Sequence, residues 1–299
     1  MKRIRIEVIQ PGWQTTIQDG GRPGFRRYGI PISGAMDKVS FRWANLLAGN
    51  PPGFPVLEGL FKGGSFRFDT AVRIGVAGPG ASAYVNKRPI DVSLPVYLSS
   101  GDTLRFESRR KGVYVYLAIQ GMPDVSRWLD SYSTYLPAEK GGFEGRRLQK
   151  GDCLSWKKIS HETVLANLSD KTHLRPDFKE KPVIHFLPGP EWHWLGPLAQ
   201  GRFQQHPFQV SPRSDRMGIR LDGRIRLARE CPEILSSATF PGTIQWPPGG
   251  KPIILLNDGQ TTGGYPRVGK VLEADLDRLT QKRPGEKVWF KLVPLERIL

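Results

Sequence analysis

Short runs that alternate apolar and polar residues restrict this chain more than any other feature. In "SFRFD" Phe66 and Phe68 fall on one face, and in "AVRIGV" Val72, Ile74 and Val76 do so. "TLRFES" repeats the pattern with Leu104 and Phe106, and "KVWFKLV" with Val288, Phe290 and Leu292. A period of two is that of a half-buried strand, because successive side chains leave a pleated backbone on opposite faces. Gly-Asp pairs at 101–102 and 151–152 precede such runs, as turns entering strands do. The 34 glycines and 26 prolines supply turns between many short strands and show no collagen-like period. The expected fold is therefore mainly β, built as barrels or sandwiches. Two helices stand out. One covers Asp37–Ala48, with Val39, Trp43, Leu46 and Leu47 on one stripe and Gly49 as its stop. The other covers Leu272–Gln281, with Leu272, Leu276 and Leu279 on one face.

At 299 residues the chain is long enough for two hydrophobic cores. A polar stretch poor in aromatics predicts a linker over 161–182, between an N-terminal lobe at 1–160 and a C-terminal lobe at 183–299. The segments "QTTIQDGGRPG" and "DGQTTGGYPRVG" echo each other across the two halves. The formal net charge of +16 points to anionic partners: an acidic protein, or a carboxylate or phosphate substrate. The basic residues are scattered, and neither zinc-finger spacing nor an RNP-type aromatic box accompanies them, so nucleic acid is not an expected partner. Cys153 and Cys231 form no CxxC pair, which fits a reducing cytoplasm, and Cys153 in "GDCLSW" reads as a buried strand thiol. Arg5 and Glu7 interrupt any N-terminal apolar segment, and the longest apolar stretch, Val113–Ile119, is too short to span a bilayer. The expectation is a soluble, cytoplasmic protein. Its five histidines show no paired helical spacing, so no metal site is expected.

Three segments carry candidate chemistry. In "NDGQTTGGYPRVGKV" (257–271), Gly264 to Lys270 spells G-x-x-x-x-G-K, but Val271 stands where a phosphate loop needs a hydroxyl for magnesium. The alternatives are a Gly263-Gly264 turn beside a buried Thr261-Thr262 pair, or an anion site made by glycine-freed backbone N–H groups, the threonine hydroxyls and Arg267. In "GIPISGAMDK", Ser33-Gly34-Ala35 opens the first helix. Asp37 there is either a carboxylate favoured by the helix dipole or a general base. In "SDRMGIRLDG", Asp215 and Arg216 would face opposite sides of a strand, leaving one of them for a site.

Together these stretches resemble a known family. "PGWQTTIQDGGRPGFRRYGIPISGAMD", "RWANLLAGN", "LEGLFKGGSFRF", "STYLPAEKGGFEGRRLQKGD", "SDRMGIRLDG" and "PGTIQWPPGGKPIILLNDGQTTGGYPRVGKV" occur in the order seen in the allophanate-hydrolase subunit 2, or biotin-dependent carboxyltransferase-like, family. One departure is Tyr132 in Ser131–Tyr135, where the family usually has arginine. The resemblance implies two cyclophilin-like β-barrel lobes. Members of the family include the C-type subunit of ATP-dependent 5-oxoprolinase. It works with a kinase-inhibitor-like B-type subunit, plus a separate A-type subunit, to open the lactam of 5-oxoproline. Others are an antagonist of a histidine-kinase inhibitor and the carboxyltransferase domain of urea carboxylase. ATP would be used by the complex, and biotin, in the carboxyltransferase branch, would arrive on a partner. The substrate class implied is a small amide. For such a site the resemblance suggests Asp37, Arg216 and Asp258 as catalytic groups. Ser33, Gly34, Ser214, Gln245, Thr261, Thr262, Gly263, Gly264 and Arg267 would bind substrate.

Overall fold

The computed structural model describes residues 3–60, 64–79, 81–108, 111–159, 176, 182–223, 225 and 232–294. The predicted linker at 161–182 lies outside these residues except for Pro176 and Pro182, as do His161, His173 and Cys231. The chain divides into two compact units, one of residues 1–22 and 33–178, the other of 23–32 and 179–299. The short stretch Pro23–Ile32, which the order of the chain would assign to the first lobe, therefore clusters with the second.

The first unit contains two sheets, and the alternating runs explain both. A seven-stranded sheet runs Met122–Pro123, Cys153–Lys157, Arg3–Gln10, Ser65–Phe68, Thr103–Ser108, Ala81–Val85, Arg88–Pro89. A five-stranded sheet runs Thr16–Gln18, Val56–Leu60, Tyr114–Ile119, Val72–Ala77, Val96–Leu98. The predicted inward residues Phe66, Phe68, Val72, Ile74, Val76, Leu104 and Phe106 join one core with Ile4, Ile6, Leu117 and Trp156. Gly101 and Gly151 take left-handed backbone, as the two Gly-Asp turns require. Cys153 departs from its reading as a buried thiol. It is exposed at the first position of its strand, where Leu154 and Trp156 take the inward face, and Arg5 donates a hydrogen bond to its Sγ at 3.3 Å.

Helix α1 (Lys38–Ala48) packs on the strands Val72–Ala77 and Tyr114–Ile119. Asp37 caps its N-terminus, accepting from the Ser40 N–H at 2.9 Å and the Ser40 hydroxyl at 2.5 Å. Gly49 and Asn50 close its C-terminus by donating to the last carbonyls.

The second unit is a closed barrel of seven strands. Their order is Val183–Pro188, Arg267–Val271, Thr243–Gln245, Ile253–Leu255, Gly218–Asp222, Phe208–Val210, Lys287–Leu292, and the last pairs parallel with the first. Its core is aromatic. Helix α2 (Gly196–Gln205), which has no clear apolar stripe in the sequence, inserts Phe203. That ring lies 5.0–6.1 Å from the rings of Phe186, Trp192, Phe208, Trp246 and Phe290. Each fully buried ring of this kind stabilises the fold by about 1.5–3 kcal/mol. The predicted C-terminal helix is α3 (Glu273–Thr280), with Leu276 and Leu279 buried. The mainly β reading with few short helices holds.

Candidate functional site

Within the second unit, two connections shape a cavity of about 400 Å³. The first is the loop before strand Gly218–Asp222. Asp215 accepts from the Met217 and Gly218 N–H groups at 2.8 and 3.1 Å, and Ser214 Oγ accepts from the Arg220 N–H at 3.1 Å. The "SDRMG" segment is thus a turn stabilised by an aspartate, not a strand. The second is the Pro247–Gly250 turn between strands Thr243–Gln245 and Ile253–Leu255. Arg213, Arg220 and Lys251 bring three cations to the wall, against the carboxylates of Asp215 and Asp222. Lys251 Nζ sits 2.8 Å from Asp222, whose carboxyl is held below its ordinary range by that bond first and by Ser211 next. Three cations against two carboxylates leave the wall with a small excess of positive charge.

Gln245, Gln260 and Tyr265 also line this cavity. Gln245 is only 1% exposed, and its Oε1 accepts from Gln260 Nε2 at 3.0 Å. Among the described residues its Nε2 has no hydrogen-bond partner. A buried amide N–H left unmet costs about 1–3 kcal/mol, and Gln245 is a cavity-lining residue that carries one. Gly263 keeps this donor in place. A Cβ there would lie 2.5 Å from Gln245 Nε2, which accounts for one glycine of the "QTTGG" motif. Gln260 belongs to the same motif, but a glutamine in a turn gives no sign that it braces another side chain.

Other residues singled out from the sequence are engaged elsewhere. Arg216 Nε and Nη2 reach Asp258 at 2.7 and 3.3 Å, with side chains 7% and 4% exposed, so the two form a buried pair and not a free base and a free anion clamp. Arg267 is bound to Glu191 at 2.9 and 3.1 Å, and its backbone N–H reaches the same carboxylate at 2.8 Å. Burial pushes the Glu191 carboxyl up, but the Arg267 bonds outweigh it and hold the group below its ordinary value. Thr262 is exposed and Thr261 half-buried, so no buried threonine pair exists; the two lie in an exposed stretch that pairs Thr262–Gly263 with Ser237–Ala238. Gly264 accepts from the Ile234 N–H through its carbonyl. The would-be phosphate loop ends in the barrel strand Arg267–Val271, with Lys270 exposed over the ring of Phe240, and is therefore no nucleotide cradle.

Ser33, Gly34 and Asp37 belong to the first unit. Gly34 has φ +84° and approaches the backbone of Asp19–Gly21 so closely that a Cβ would lie 2.8 Å from the Gly21 nitrogen. Ser33 also has positive φ, 54°, and its buried hydroxyl has no partner among the described residues. The Asp37 N–H donates to the Tyr116 hydroxyl at 2.7 Å. That phenol is pushed well up, by burial first and then by the Glu58 and Asp37 carboxylates. Among the described residues no group of three or more His, Cys, Asp or Glu is placed to hold a metal ion, and no helix is long and apolar enough to cross a membrane.

The closed barrel thus carries a cavity lined by three cations and by an amide that has one unmet N–H among the described residues. The chain belongs to the carboxyltransferase domain, subdomain A and B, family, matched over residues 28–292. It is 37% identical to the C-type subunit of the 5-oxoprolinase of Escherichia coli (strain K12), over 98% of this chain and 93% of that one. It is 34% identical to the subunit of the same name from Haemophilus influenzae, over 97% and 92% of the two chains. The crystal structure of the Kluyveromyces lactis urea amidolyase superposes with a TM-score of 0.88 at 29% identity, over 97% of this chain but 19% of that larger one.

Proposed function

We propose that this chain is one subunit of an ATP-dependent 5-oxoprolinase, active when assembled with an A-type partner and a kinase-inhibitor-like B-type partner. The reaction adds water across the lactam C–N bond, giving the γ-carboxylate and α-amine of glutamate. The observation that carries the reading is Gln245 Nε2, a buried donor on a cavity whose wall has a small excess of positive charge. A lactam carbonyl would accept from Gln245, while Arg213 and Arg220 would draw in the substrate carboxylate. Near-complete coverage of two relatives, both named as the C-type subunit of 5-oxoprolinase, supports the same choice. In this reading ATP is consumed by the assembled complex, and no step of its use is assigned to residues of this chain.

The test is ATP-dependent release of glutamate from 5-oxoproline by the chain mixed with its neighbouring subunits. Gln245→Leu is expected to raise KM about tenfold, the upper end of one neutral hydrogen bond. No glutamate from intact, associated subunits removes the proposal. A second reading is carboxyl transfer to a small amide such as urea, with biotin supplied by a partner; the TM-score of 0.88 to the urea amidolyase structure favours keeping it. Carboxylation of urea in the presence of a biotin-bearing partner, without lactam opening, would select it.

A further inference from the structure

The segment Pro23–Ile32 is remote in sequence from the rest of the second unit, yet it clusters there. Its short turn Arg26–Tyr28 places one guanidinium among backbone carbonyls. Arg26 Nη2 donates to the carbonyl of Thr239, and to that of Gln260 at 3.4 Å. The guanidinium lies 5.3 Å from the centroid of the Phe240 ring, and burial pushes its pKa down. Arg26 does not line the cavity. We infer that Arg26 is a positioning residue that sets the direction of the Gln245 amide by pinning Gln260, an inference that rests on the cavity being the substrate site.

The route is short. The Gln260 carbonyl accepts from Arg26 and also from Thr239 Oγ1 at 2.7 Å, while the Thr239 N–H donates to the Thr261 carbonyl at 3.0 Å. Those bonds fix the backbone from which the Gln260 side chain departs. Its Nε2 then holds Gln245 Oε1 at 3.0 Å. A carboxamide is planar, so fixing its oxygen fixes where its two N–H bonds point. Gly263 leaves the Nε2 side clear of side-chain atoms of its own. Both contacts come from the one Nη2, whose two N–H bonds serve the two carbonyls, while Nη1 has no partner among the described residues.

Two measurements test this. On the chain alone, the side-chain amide NMR signals of Gln245 and Gln260 are expected to move in Arg26→Met, with the remaining spectrum folded, and to return part of the way in Arg26→Lys. In the assembled complex, Arg26→Met is expected to raise KM for 5-oxoproline three- to tenfold with kcat within twofold. It should add nothing further in a Gln245→Leu background. Unmoved amide signals in Arg26→Met, or effects that simply multiply in the double variant, would overturn the inference. If Gln245→Leu leaves KM unchanged while Arg26→Met still shifts the amide signals, the substrate reading fails and the positioning role stands.

Discussion

Replacing Asp258 by asparagine keeps the shape of the side chain and removes its charge, taking from the buried Arg216 the carboxylate it contacts at 2.7 and 3.3 Å. The pair is nearly dry, 7% and 4% exposed, with contacts at 2.7 and 3.3 Å. It also joins two loops whose backbones already meet, the Asp258 N–H donating to the Arg216 carbonyl at 3.1 Å and the Leu256 N–H to that of Met217 at 2.9 Å. Breaking one partner of such a pair costs about 3–5 kcal/mol. At about 2–4 °C per kcal/mol for a protein of this size, Tm should fall by roughly 6–20 °C. Urea and thermal unfolding of the chain alone measure this without any partner. The double variant Arg216→Met/Asp258→Leu should lose less than the two single variants combined, because neither charge remains to be left uncompensated. A loss below about 1 kcal/mol for Asp258→Asn, together with a collapse of kcat in the complex, would refute the structural role and return Asp258 to the chemistry.

Further consequences can be measured in the same preparations. Gly263→Ala should cost about 1–3 kcal/mol, because its Cβ would meet the buried Gln245 Nε2 at 2.5 Å, and should raise KM as Gln245→Leu does; steady-state kinetics beside a urea midpoint reads both. Asp37→Asn keeps an acceptor at the N-cap of α1 and should be near wild type in stability, whereas Asp37→Ala should lose about 0.5–2 kcal/mol. A fall in activity of Asp37→Asn beyond its change in stability would assign the carboxylate a role as base. Glu191, held below its ordinary value of 4.5 in the folded chain, adds stability above that pH and loses it as pH falls through the folded value. Acid titration of unfolding should show this slope, and Arg267→Gln should flatten it.

The strands with alternating runs and, among the described residues, two of the three α-helices were legible because their evidence is local. Phe66 and Phe68, or Leu276 and Leu279, announce a face within a few residues of each other. Helix α2 was not, since only Ala199 and Phe203 are buried among its glycines and glutamines, and Phe203 acquires its meaning from five rings elsewhere in the chain. Charge type was the weakest guide to the site. An arginine in a motif looks the same whether it faces a ligand or a carboxylate of its own chain. Arg267 finds Glu191 at a sequence separation of 76, and Arg216 finds Asp258 at 42. Gln245 stands out with its motif, but which of its amide atoms lacks a partner is defined only by the bond that Gln260 makes to the other end of the amide.

Arg26 also gives the barrel of the second unit a history during synthesis. Its hydrogen bond to Thr239 spans 213 residues, so the segment that carries it leaves the ribosome long before its partners exist. At about 5–20 residues per second the wait is roughly 10–40 s, far longer than a hairpin needs to form. The ten residues 23–32 lie between two stretches of the first unit, yet Arg26 among them makes its bonds at separations of 213 and 234 residues. A fragment begun at residue 179 would lack that strap altogether, and with it the brace on Gln260.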